Sequence, residues 1–360
     1  MPEETSGTLP DDPEDRAGTI GWAKLLNGSW PAGAHEPGLA AWAERLADLI
    51  SPAMADHLLG TDPASDAPLV NPERAAKGRL YSRFLLEAQI GALRLIKETG
   101  AAFVCMKGFA LAHQVYAEPA IRIIGDLDLL LHPADLPTVT RRLSAAGYAP
   151  LPIPSRFGFI SDSSFLPIVS ADGQVAVDLH IAPDAWPAPR ALDTEAVFRQ
   201  AVPFRIQELE LWRPAAEHEF FLILTNIAKD RFGPEGVRKI VDAAMLLRAV
   251  SGFDWDMVAA LVRAGGYRAT LAALGELMGQ LGAGSMVPAA LRKPIGLVAR
   301  RELEAVTVLY RGARVTQLGT LDKLRRELLL GPDLLSVLRI NAKRLSGLAR
   351  PGTGVPPGMA

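Results

Sequence analysis

The 360-residue chain has a single cysteine, Cys105, which rules out an internal disulfide and suits a reducing compartment. That cysteine falls in the apolar run Ala101-Ala102-Phe103-Val104-Cys105-Met106, where a free thiol behaves as a small buried hydrophobe. There is no stretch of about twenty apolar residues, which argues against a helical membrane span. The first residues carry acids and prolines in place of a basic segment followed by an apolar one, so no secretory signal is read and a cytoplasmic location is expected. Nor is there an excess of either charge. With 38 Lys and Arg against 40 Asp and Glu, the formal net charge is −2, which argues against wholesale binding to nucleic acid or to a membrane surface. The pattern Gly-x-x-x-x-Gly-Lys-Ser/Thr is also missing, so a P-loop is excluded.

The apolar content, 49% with 22% charged residues, is ordinary for a globular protein with a sizeable core. Five segments are expected. Residues 1–18 read as a disordered acidic tail and residues 19–100 as N-terminal helices, the last of them a long helix from Ala75 to Glu98. Residues 101–214 read as a small sheet with helices, in strand–helix–strand–helix–strand order. Its strands are expected over Ala101–Met106, Asp126–Leu131, Phe165–Val169, Val175–Ile181 and Val202–Trp212. Residues 215–349 show helical periodicity nearly throughout, and residues 350–360 read as a disordered tail. The fold class is therefore α+β.

The chemistry concentrates in Ile124-Gly125-Asp126-Leu127-Asp128-Leu129-Leu130-Leu131. Alternation along a strand puts Asp126 and Asp128 side by side on one face and Leu127, Leu129 and Leu131 on the other. Two carboxylates so placed repel each other, and a divalent cation between them relieves the repulsion. The run Val175-Ala176-Val177-Asp178-Leu179-His180-Ile181 repeats the pattern, with Asp178 and His180 sharing a face. If the two strands are neighbours, three carboxylates meet. Hard oxygen ligands that leave open positions suit Mg²⁺, or Mn²⁺, and phosphate chemistry. A third feature, Met106-Lys107-Gly108 at a strand–helix junction, combines a positive charge, a backbone open to close approach and the unpaired N–H groups of a helix start.

Each residue also has a plainer role open to it. Asp126 and Asp128 could be solvated acids at a strand edge, and Asp178 a structural acid. His180 could orient a neighbouring carboxylate or act as a general base for an acceptor hydroxyl. Lys229 and Arg231, near a helix end, could reach a ligand across a cleft or form interhelical salt bridges. The basic C-terminal positions Arg300, Arg301, Lys323, Arg325 and Arg326 could attract RNA or form a solvated face.

The ordered combination Met-Lys-Gly-Phe-Ala-Leu-Ala, Tyr116-Ala-Glu-Pro, Arg122, Asp126-Leu-Asp128-Leu-Leu-Leu, Gly147-Tyr148 and Val177-Asp178-Leu-His180 resembles a family of uncharacterised nucleotidyltransferases within the polymerase-β-like superfamily. The resemblance runs from about Phe84 to His180 and more loosely to about Val250. It implies a nucleotidyl transfer from an NTP, with ATP the first candidate, to a small-molecule or peptide acceptor, releasing pyrophosphate. It also implies Lys107, Gly108 and Arg122 as nucleotide-binding residues, Arg122 through a phosphate or by steadying the site. Asp126 and Asp128 would be the metal ligands and Asp178 the third catalytic carboxylate. Relatives are often encoded with peptide natural-product pathways, lasso peptides among them. The chain departs from the wider superfamily in having Lys-Gly where Gly-Ser is commoner, in its longer spacing from Gly108 to Asp126, and in lacking a histidine often seen in the helical part. Two alternatives follow from the same residues: an enzyme acting on RNA ends, and a nucleotide-binding module without turnover.

Overall fold

The computed structural model describes residues 12–34, 36–151, 163–283, 286–292 and 295–347. In chain order the elements are α1 (Pro13–Asn27), α2 (Leu39–Ile50), α3 (Pro52–Leu59), α4 (Pro72–Lys97), β1 (Phe103–Cys105), α5 (Lys107–Val115), β2 (Asp126–Leu131), α6 (Leu136–Ala145), β3 (Ala149–Pro150), β4 (Ile168–Val169) and β5 (Ala176–His180). They continue with α7 (Thr194–Arg199), β6 (Val202–Ile206), β7 (Leu209–Arg213), α8 (Ala216–Asp230), α9 (Pro234–Ala249), α10 (Trp255–Gly265), α11 (Arg268–Gln280), α12 (Leu297–Arg311), α13 (Thr320–Leu330) and α14 (Leu334–Gly347). The α+β class expected from the sequence is the one observed. No helix among the described residues is long and apolar enough to cross a membrane.

Two expectations are corrected. Residues 13–18 of the expected acidic tail belong to α1, because Asp12 caps the helix by accepting from the Glu14 amide and Pro13 supplies a preset first turn. Residues 1–11 and the expected tail over 350–360 lie outside the described residues. Val202–Trp212 is a hairpin and not one strand, since the chain reverses at Gln207, whose φ of 52° lies in the left-handed region. That turn carries neither the glycine nor the asparagine that normally announces it.

The main sheet runs β1-β2-β5-β4-β3, with β2 and β5 parallel and the remaining pairs antiparallel. Alternation divides its side chains between two cores. Phe103, Cys105, Leu127, Leu129, Leu131, Val177 and Leu179 pack with Ile90, Leu93 and Ile96 of α4 and with Leu136, Val139 and Leu143 of α6. Cys105 is thus the buried hydrophobe expected of it, and burial pushes its thiol pKa up. The opposite face gives Val104 and Leu130 to the large helical core built by α1–α3 and α8–α12. Asp126, Asp128, Asp178 and His180 share that face, so the carboxylates look toward the helices. Leu80 and Phe84 of α4, in phase by spacing, stay 71% and 54% exposed.

Helices from the two ends of the chain are joined through backbone. The indoles of Trp22 and Trp42 donate to the carbonyls of Tyr310 and Arg311, each at 2.7 Å, satisfying acceptors that the end of α12 would otherwise leave open. Gly18 lets α1 approach that end: a Cβ there would lie 1.8 Å from the Arg311 carbonyl oxygen. In an unobstructed helix, Gly→Ala stabilises by about 0.5–1 kcal/mol. Here Gly18→Ala is expected to destabilise by about 1–3 kcal/mol, the usual result of overpacking. A denaturant midpoint equal to or above wild type would show that the two helices are not in such contact.

Candidate active site

Parallel pairing of β2 with β5 sets Asp128 directly opposite Asp178 and Leu130 opposite His180. The ligand atoms of Asp128, Asp178 and His180 all lie within 4.8 Å of one another, a group able to hold a metal ion. Asp178 Oδ1 is buried without a hydrogen-bond partner, so that group keeps one unsatisfied acceptor. Two carboxylates and an imidazole fit a divalent cation. The expected Asp126–Asp128–Asp178 set is not gathered within the same reach among the described residues. Asp126 is the exposed first residue of β2, and its register partner on β5 is Ala176, which has no ligand atom to add. His180 completes the group instead.

The junction of β1 and α5 delivers Lys107 to the same place. The Met106 amide donates to the Asp128 carbonyl at 3.0 Å, tying the start of α5 to β2. Lys107 takes a left-handed φ of 52°, unusual for a residue with a side chain, and its ammonium donates to Asp128 Oδ1. His180 Nε2 lies 2.8 Å from Asp128 Oδ1, 3.5 Å from Asp178 Oδ2 and 3.3 Å from Lys107 Nζ. Burial alone would raise the Asp128 pKa, but Lys107 and His180 hold it well below the usual carboxylate range. Asp126, facing that charge, is shifted upward. Burial and Lys107 work against a charged His180, yet its hydrogen bonds to Asp128 and Asp178 prevail and raise its pKa. One strand face therefore carries two carboxylates of unequal acidity beside two cationic groups.

Arg122 pairs with an acid of the helical part. Its Nε and Nη2 donate to Asp242 Oδ1 and Oδ2 of α9 at 2.9 and 2.7 Å, and the Tyr116 hydroxyl donates to Asp242 Oδ1 at 2.8 Å. This fork is buried. A Cβ on Gly108 would lie 2.6 Å from Arg122 Nη1, so the glycine makes room for the guanidinium. Lys229 pairs with Asp184 at 2.6 Å and Arg231 with Glu327 at 3.1 Å, and neither lines the cleft beside the carboxylates. Arg325 and Arg326 both pair with Glu302, which leaves them engaged within the fold.

A cleft opens beside Asp126 and Asp128, walled by Lys107, Gly108 and Leu111 of α5 and by one face each of two helices. The α8 face presents Glu219, Leu222, Ile223 and Asn226, and the α9 face Glu235, Arg238, Lys239 and Asp242. Both sets follow the i, i+3, i+4, i+7 spacing of one helical stripe. No side chain caps the start of α5, so its first N–H groups are open to an anion. Arg238 has an unpartnered Nε, whereas Lys107, Arg122 and Lys239 are each engaged with an aspartate. Glu219 and Arg238 were missed from sequence. The stripes that hold them were readable, but nothing in them says that they face β2.

Residues 72–282 match the model of a family described as an uncharacterised nucleotidyltransferase. The stretch starts at the first residue of α4, ends just past α11 and contains every residue that lines the cleft. No curated protein matches the chain.

Proposed function

The chain belongs to the uncharacterised nucleotidyltransferase family and is a transferase, and from that premise we propose that it moves a nucleotidyl group from an NTP, ATP first among them, to a small-molecule or peptide acceptor. Pyrophosphate is the other product. The observation that carries this reading is the shared placement of the acidic strand face and the uncapped start of α5 on one cleft. Asp128 and Asp178, with His180 and the neighbouring Asp126, would hold Mg²⁺ or Mn²⁺. A bound ion would neutralise charge on phosphate oxygens during in-line displacement.

The chain's own groups do the rest. Lys107 and the open N–H groups around Gly108 receive phosphate oxygens, and Arg238 adds a guanidinium from the opposite wall. Arg122 acts as a positioning residue, fixing the loop before β2 to α9 through Asp242. His180, hydrogen-bonded to Asp128 and Asp178, orients the two carboxylates for the ion.

The test is incubation with Mg²⁺, each NTP labelled in its α-phosphate, and an extract of candidate acceptors. Label is expected in a ribonuclease-resistant product, with pyrophosphate released and both signals abolished by EDTA. Transfer that persists in EDTA would overturn the metal assignment, and a ribonuclease-sensitive product would make RNA the acceptor.

A further inference from the structure

Glu219 is fully buried near the start of α8, and neither of its side-chain oxygens has a hydrogen-bond partner. Buried carboxyls are almost always paired, so an orphaned one calls for a reason. Of the cations that feel its charge, Arg122 is committed to Asp242 and Lys107 to Asp128, and Arg213 makes no hydrogen bond to it. Yet Glu219 lines the cleft. One turn along the same stripe stand Leu222 and Ile223, with Leu111 and Ile124 also in the lining. Within a lining otherwise rich in charged groups, these apolar side chains beside the bare Glu219 carboxyl match a flat heterocycle, which has apolar faces and a polar rim.

We infer that Glu219 reads the hydrogen-bonding edge of the nucleobase, whose faces rest on Leu111, Ile124, Leu222 and Ile223. This rests on the cleft being the nucleotide site proposed above, whose phosphate-facing groups share the lining. Burial pushes the Glu219 carboxyl up to about 8, so it is largely neutral at pH 7. A neutral carboxyl offers one donor and one acceptor, the complement of the amino group and ring nitrogen of adenine; an ionised one offers two acceptors, the complement of the guanine N–H pair.

The test is calorimetric titration of ATP, GTP, CTP and UTP with Mg²⁺ into wild type, Glu219→Leu and Glu219→Gln, with thermal melts confirming that each variant is folded. Wild type is expected to prefer ATP. Glu219→Leu should weaken that binding about tenfold or more and erase the preference, as losing hydrogen bonds to a substrate edge does. Glu219→Gln, which also offers one donor and one acceptor, should keep it. A preference for GTP lost in both variants supports the same contact with the carboxyl ionised. If wild type binds NTPs and Glu219→Leu shows the same affinities and ranking, the inference fails while the nucleotide site stands. If wild type binds no NTP, the nucleotide site itself fails and this inference with it.

Discussion

Asp126→Asn and Asp128→Asn should each lower nucleotidyl transfer by about a thousandfold or more, the scale of losing charge stabilisation in a phosphoryl-transfer site. The two variants should then separate in stability. Asp128 is buried against Lys107 and His180, so its loss leaves buried cationic groups without their shared partner. Breaking such a pair from one side costs about 3–5 kcal/mol. Asp126 is exposed and has Asp128 as an unfavourable neighbour, so its removal should leave the melting temperature unchanged or slightly higher. Steady-state turnover and thermal melts on the two proteins check both statements. Full activity in Asp126→Asn would remove it from the site, and equal stability of the two would contradict the buried cluster.

Stability should fall with rising pH because of Glu219, and Glu219→Gln should remove most of that fall. Below pH 4.5 the carboxyl is protonated in the folded and unfolded chains alike. Between 4.5 and about 8 the unfolded chain releases the proton while the folded one retains it, so the folded state loses ground as pH rises. Above about 8 the penalty levels off, on the order of 4–5 kcal/mol for a shift of that size. Urea unfolding of both proteins at pH 5, 6, 7 and 8 measures the effect. Glutamine should bring the largest gain at pH 8 and little at pH 5. Parallel profiles would mean that Glu219 is not held protonated in the folded protein. A destabilising acid retained in this cleft is consistent with a residue kept for its ligand.

The strand half of the site was legible because strand physics leaves a short-range trace. Two aspartates at a spacing of two in an apolar run must share a face, and Asp178 with His180 repeats that signal. The helices α8 to α11 were legible for a similar reason, through their 3.6-residue stripes and breaks at residues such as Pro234 and Gly266. The opposite wall left no such trace. Glu219 sits in His218-Glu219-Phe220-Phe221, which reads as one turn of an ordinary amphipathic helix. The Arg122–Asp242 fork joins residues 120 positions apart, and only the fold reveals it. His180 was recognised as a neighbour of Asp178, but its place beside Asp128 depends on the parallel register of β2 and β5.

The buried fork of Arg122, Asp242 and Tyr116 also bears on how molecules are admitted. It rivets the floor of the cleft to α9, so the two cannot part at that point without stripping a charge pair of its partners. The gap there is set before any guest arrives, and little of a guest's binding energy goes into shaping it. At that end the fork makes the cleft a gauge whose width belongs to the fold, so a ligand too wide for it should bind weakly.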